Sequence, residues 1–232
     1  MAWVPTSERE YTIGLRPMRA HRVTTSTTEV VHVVVAFLVL SVDIALIVGP
    51  LPQIGSRGFP GVSSFADGLA IGAAAALTGF VAHEMAHKVV AQRYGFWAEF
   101  RMSPFGLLIS FTFALFGFLF AAPGATVVGG MGNESEWGKM SLAGPALNFL
   151  EGGVFVGLGV GLNVGHLFPT AALAMFILAY FCAWFSAFNL IPIGPLDGRK
   201  VWRWSHSTWL VSFVVAVAFT AACYLLLFPQ TL

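Results

Sequence analysis

Charge is scarce in this chain. Only 10% of its 232 residues are Asp, Glu, Lys or Arg, against roughly 25% in soluble domains. With 57% hydrophobic residues and a mean hydropathy of +0.79, a soluble all-α core does not fit, because so short a chain could not cover that much apolar surface with so few charges. Cysteine is scarce too. Cys182 and Cys223 both lie inside apolar runs and read as small buried hydrophobes rather than as a disulfide or a cysteine zinc pair. The net charge of +1 gives no reason to expect a nucleic-acid partner. The polar first 29 residues are not preceded by a short apolar run with a cleavage site, so no removable signal peptide is expected.

Long apolar runs are abundant. They lie at about 30–48, 68–92, 105–122, 139–163, 168–191 and 207–228, and several approach or exceed the roughly 18 residues that span a bilayer. The expected fold is an all-α polytopic membrane protein with about five to six transmembrane helices and a re-entrant segment or hairpin near 98–130. A cytoplasmic N-terminal segment, 1–29, would lead into a single transmembrane domain, 30–232. The lipid bilayer of the cell membrane is then one partner. The loop 49–65 is rich in Gly, Pro and Ser and reads as an ordinary connection. Gly153, Gly157, Gly161 and Gly165 recur every four residues and lay a smooth stripe suited to close packing on a neighbouring helix.

The run 105–122 is ambiguous, and the basic residues bear on it. If the N-terminus is cytoplasmic and 105–122 dips in without crossing, Arg9, Arg16, Arg19, Arg22, Lys88, Arg93, Arg101, Lys139, Arg199, Lys200 and Arg203 all fall on the cytoplasmic side, and Arg57 alone falls outside. A single crossing would move Lys139, Arg199, Lys200 and Arg203 outside. The excess of cytoplasmic Lys and Arg typical of membrane proteins favours the non-crossing form. Backbone outside a helix is tolerated at membrane depth where protein or a wet cavity covers it, so a strand pair or a helical hairpin would fit.

Within the second run stands His83-Glu84-Met85-Ala86-His87. Helical positions i and i+4 share a face, so both imidazoles can meet one ion while Glu84 reaches a water that the ion acidifies. This is the H-E-x-x-H zinc arrangement, with Glu as general base. Ionisable residues inside a membrane are costly and usually functional. A catalytic zinc needs a third protein ligand. Asp43 and Asp67 sit near the outer ends of their runs, Glu99 in the short re-entry segment, His166 in an outer loop and His206 near the inner surface. Glu151, inside the 139–163 run, competes. Asp197 is favoured: Pro192 and Pro195 end the 168–191 helix, and Gly198 permits a tight turn. With 105–122 re-entrant, Asp197 also arrives on the same side of the membrane as the histidines.

In these residues the chain resembles the site-2 protease family of intramembrane zinc metalloproteases. The resemblance rests on His83 to His87, on Asn189-x-x-Pro192-x-x-Pro195-Leu196-Asp197-Gly198, and on "SLAGPALN" at 141–148. It covers roughly 68–200. Ala86 stands where the family often has Gly, and both are small. The apolar insert between "AEFRM" and "GATVVGG" is unusual and reads as an elaborated re-entrant hairpin, while no extramembrane PDZ or CBS domain is expected. The resemblance implies Zn2+ as cofactor and hydrolysis of peptide bonds within or next to transmembrane helices of membrane-protein substrates, with the site toward the cytoplasmic side. It implies His83, His87 and Asp197 as zinc ligands, Glu84 as the catalytic base, and Asn189 as a group holding substrate or the reacting oxyanion. Asn148 would be structural or near the site. For Asn189 the competing reading is a hydrogen bond to a carbonyl freed at the helix end. A membrane metal-ion transporter and a membrane zinc hydrolase acting on non-peptide bonds are the alternatives. A transporter would want polar groups across the whole bilayer, and the outer halves hold little beyond Asp43 and Asp67.

Overall fold

The structure is a computed structural model that describes residues 23–50, 58–120, 123–164 and 168–228. Arg9, Arg16, Arg19, Arg22, Arg57, Gly165 and His166, with most of the expected segment 1–29, lie outside the described residues. The elements in chain order are α1 (Thr27–Val48), α2 (Phe65–Ala75), a π-helical stretch (Ala76–Ala82), α3 (His83–Arg93), β1 (Trp97–Met102), α4 (Pro104–Ala114), β2 (Gly124–Gly129), α5 (Glu134–Asn163), α6 (Pro169–Asn189), α7 (Asp197–Trp204) and α8 (His206–Leu227). Among the described residues, five spans are long and apolar enough to cross a membrane: α1, the continuous helical stretch Phe65–Arg93, α5, α6 and α8. The all-α membrane expectation holds, with one small antiparallel strand pair added.

Polar caps set where α1, α2, α4, α5 and α8 begin. Ser64 and Asp67 form a reciprocal capping box at α2, and Asn133 with Glu136 does the same at α5. Each satisfies two otherwise orphaned N–H groups. For this reason α5 starts at Glu134, ahead of the apolar run that begins near 139. Ser103 caps α4, with Pro104 at its first position, where the missing N–H costs nothing.

The ambiguous run does not cross. α4 has 11 residues, about 16 Å of helix against the roughly 30 Å hydrocarbon core. The Ser103 N–H donates to the Pro123 carbonyl at 2.8 Å, so the excursion leaves and returns at one point. Beyond that bond the flanking segments pair from Met102↔Gly124 to Trp97↔Gly129.

Two acidic residues of α1 are interior. Asp43 is fully buried and accepts from the Ser110 hydroxyl at 2.6 Å, a partner that α4 brings to α1. Glu29 pairs with Lys88, both 1% exposed. Lys88, counted above among the cytoplasmic cations, is thus a buried and paired charge. Glu29 also accepts the Phe100 N–H at 3.0 Å, so one buried ion pair ties α1, α3 and β1 together. Leaving either charge alone there would cost on the order of 3–5 kcal/mol.

α6 is the central helix, burying Phe176, Ile177, Phe181 and Phe185. The close-packed face of α5 is not the Gly153, Gly157, Gly161 stripe, where an added Cβ would meet nothing within 4 Å. It is the face of Gly152 and Gly159, where a Cβ would press on Phe219 at 2.7 Å and Phe176 at 2.6 Å. Rings from α6 and α8 select that face by filling the hollows that these glycines leave.

Candidate metal centre

His83 and His87 open α3, one turn apart, directly after the π-helical stretch. Such irregular turns re-aim the helix that follows and recur at functional sites. Asp197 is the first residue of α7. Pro192 and Pro195 prevent α6 from continuing, and the chain turns sharply between them. Gly198 allows α7 to start against the end of α6, since a Cβ there would run into the Leu190 carbonyl. That carbonyl is fixed in turn by the Trp209 indole N–H of α8 at 2.8 Å.

These elements bring three donor atoms together. His83 Nε2 and His87 Nε2 are 3.0 Å apart, and Asp197 Oδ2 lies 3.3 Å from the first and 2.9 Å from the second. A tetrahedral zinc with N and O ligands at about 2.0–2.2 Å sets its donors roughly 3.3 Å apart, so the set fits the ion. His83, His87 and Asp197 form the group able to hold a metal among the described residues; Glu151, Asp43, Asp67, Glu99 and His206 do not join it. Burial alone would raise the Asp197 carboxyl, but the adjacent His87 and His83 outweigh it and hold the group well below the usual carboxylate range. It is an anion suited to a cation. Its other oxygen faces Lys200 Nζ at 3.7 Å.

One stripe of α5 covers the imidazoles. Met140, Gly144 and Asn148 are spaced four apart on this helix and so share a face. The Met140 carbonyl can only accept, so the 2.7 Å contact from His87 Nδ1 puts a proton on Nδ1, and in the neutral ring Nε2 is then the atom that can ligate an ion. Gly144 lies over both rings: a Cβ there would stand 2.5 Å from His87 Nε2 and 2.6 Å from His83 Nε2. Asn148 Nδ2 lies 3.0 Å from His83 Nδ1. The Ser186 hydroxyl of α6 donates to the Pro145 carbonyl at 3.0 Å, fixing the stripe against its neighbour.

Glu84 is beside the group but turned to the strand pair. Its Oε2 accepts the Thr126 N–H at 2.8 Å. The Thr126 hydroxyl lies 2.7 Å from that oxygen and 3.1 Å from the Glu84 carbonyl. A cavity of about 80 Å³, lined among others by His83, Glu84, His87, Thr126, Asn189 and Asp197, joins these groups and is roomy enough for water. Asn189 lines it, yet its Nδ2 donates to the Phe185 carbonyl at 3.0 Å, the helix-end bond weighed against a site role. The sequence does not single out Thr126, Met140 or Gly144, and marks Asn148 only as structural or near the site. Gly144 and Asn148 lie in the motif at 141–148, which marked the stretch but not what each residue touches.

The chain is 38% identical over 136 residues to "Putative zinc metalloprotease MJ0611" of Methanocaldococcus jannaschii, covering 58% of this chain and 70% of that protein. It is 32% identical over 148 residues to "Putative zinc metalloprotease Rip3" of Mycobacterium tuberculosis, covering 63% of this chain and 33% of that protein. No protein-family model and no solved structure matches. Zinc is the cofactor this similarity and the donor set both indicate. With 38% identity over 70% of the length of a named zinc metalloprotease, and three donor atoms spaced for one ion, this chain belongs to the site-2 protease family of zinc metalloproteases.

Proposed function

We propose that this protein hydrolyses peptide bonds within or next to transmembrane helices of membrane-protein substrates. The carrying observation is depth. His83 lies ten residues before the end of the 29-residue span Phe65–Arg93, about 15 Å along the helix axis from that end. A hydrolytic site so placed suits a substrate that is itself in the bilayer. His83, His87 and Asp197 would hold the zinc, with Glu84 as base. When bound, the ion polarises a carbonyl and makes water acidic enough to ionise near neutral pH. Glu84 accepts the proton that water loses as its oxygen joins the carbonyl carbon, and returns that proton to the amide nitrogen as the C–N bond breaks. Thr126 holds one Glu84 oxygen and so orients the other. Asn189 keeps one amide N–H beyond its bond to Phe185, available to an oxyanion in the cavity.

A substrate helix must unwind before attack, and an edge strand can replace its lost main-chain bonds. Either 98–103 or 124–130 could supply such an edge. The outward groups of β1 are taken, Phe100 N–H by Glu29 and Ala98 carbonyl by Gln92. β2 therefore offers the edge. By antiparallel alternation its Thr126 and Val128 groups point outward; Glu84 already takes the Thr126 N–H, so the edge on offer is the Thr126 carbonyl with the Val128 N–H and carbonyl. Val128→Pro removes one outward donor while sparing the β1–β2 ladder. It is expected to raise KM about 5–10-fold, the equivalent of one hydrogen bond, with zinc content unchanged. An unaltered KM in steady-state cleavage would exclude this edge.

The N-terminus and the open side of the site are assigned to the cytoplasm. The same reading treats 30–232 as one domain with its catalytic core at about 68–200. Labelling of single cysteines introduced at each chain end in sealed cells tests the orientation, and labelling of the N-terminal one from outside would reverse it. The function is tested in proteoliposomes holding the purified protein and a membrane-spanning substrate. Cleavage inside the spanning stretch, lost on chelation and restored by zinc, is expected. Zinc transport without cleavage, or cuts confined to soluble tails, would overturn it.

A further inference from the structure

We propose that Asn148 is a positioning residue for the metal centre, its side-chain oxygen accepting the Nδ1–H of His83 whenever zinc is held, so that a bare Nε2 faces the ion. The proposal rests on the zinc reading above. Asn148 is fully buried, its amide is 3.0 Å from His83 Nδ1, and its Oδ1 has no partner. Which end of an amide faces a neighbour is decided by the hydrogen-bond network. With Nδ2 toward His83, the ring accepts at Nδ1, carries its proton on Nε2, and points that proton at His87 Nε2 and Asp197 Oδ2. That tautomer cannot ligate, because its proton occupies the lone-pair direction that an ion needs. A ligating Nε2 requires Nδ1–H, which an NH2 group cannot accept and the Asn148 oxygen can. Rotation of the buried amide by half a turn puts Oδ1 toward Nδ1 and so matches the tautomer that ligates.

His87 needs no such rotation, because its Nδ1 already faces a main-chain carbonyl. The α5 stripe therefore sets both rings by different means. A carbonyl fixes His87, and an amide able to present either end serves His83. Outer partners of this kind orient metal-bound histidines, and their loss typically weakens metal binding 10–100-fold.

The test is zinc affinity by chelator competition, on detergent-purified full-length protein whose helical circular dichroism matches wild type. Asn148→Asp supplies only acceptors and is expected to bind zinc at least as tightly as wild type. Asn148→Leu keeps the volume without an acceptor and is expected to bind 10–100-fold more weakly. A residue that merely fills space would give the reverse order, Leu tolerated and Asp disruptive, and that order overturns the assignment. If Asn148→Leu does not fold, Asn148→Asp decides alone, and weaker binding by it is contrary. Absence of zinc binding by wild type overturns the metal reading together with this one.

Discussion

Glu84→Gln is expected to lose peptide-bond hydrolysis by about 10²–10⁴-fold, the usual contribution of a positioned general base, while zinc content stays at the wild-type level. The separation follows from geometry. The three donor atoms that converge belong to His83, His87 and Asp197, whereas the Glu84 carboxylate is bonded to Thr126 of β2. Gln preserves the volume and the side-chain oxygen that Thr126 needs, and removes the ability to take a proton. The loss amounts to roughly 3–5 kcal/mol of barrier. Cleavage kinetics and metal analysis on one preparation check it. Loss of zinc along with activity would make Glu84 a ligand, and retained activity would move the base elsewhere.

Gly144→Ala is expected to lose the metal itself. The added Cβ would stand 2.5 Å from His87 Nε2 and 2.6 Å from His83 Nε2 and Cδ2, well inside van der Waals contact. One side must yield. α5 is fixed to α6 by the Ser186 hydroxyl on the Pro145 carbonyl, and its Met140 carbonyl and Asn148 amide already hold the rings. The imidazoles would therefore be displaced, and a plausible zinc site tolerates only about ±0.2 Å in its ligand distances. Zinc affinity is expected to fall at least about 100-fold, beyond the loss of a single outer partner, while helical content is kept. Chelator competition measures the first and circular dichroism the second. Wild-type zinc affinity in this variant would mean that α5 does not cover the ion.

Much of this was legible in the sequence because it is local. Helix spacing alone puts His83 and His87 on one face, and two prolines followed by Asp-Gly mark where a helix stops and a carboxylate can turn inward. The excursion at 104–123 was legible less directly, from where the basic residues fall. Lys88 belonged to that charge pattern and yet is sequestered by Glu29, 59 residues away. Charge patterns carry no sign of a partner so distant in the chain. Asp43 was read as an interface group for the same reason, since its partner Ser110 belongs to the excursion. The glycine repeat pointed to the wrong face of α5 because the rings of Phe176 and Phe219, on other helices, choose the face. The π-helical stretch 76–82 has no mark in "ALTGFVA". Gly144 and Asn148 acquire their meaning only when α5 lies across α3.

The most direct measurement is zinc-edge X-ray absorption on the purified wild-type chain, with metal stoichiometry from the same sample. One zinc per chain, bound by two imidazole nitrogens and oxygen donors at about 2.0–2.2 Å, is the expected result. A chain isolated in active form without zinc, or a spectrum with sulfur donors or a single imidazole, would contradict a centre built from His83, His87 and Asp197.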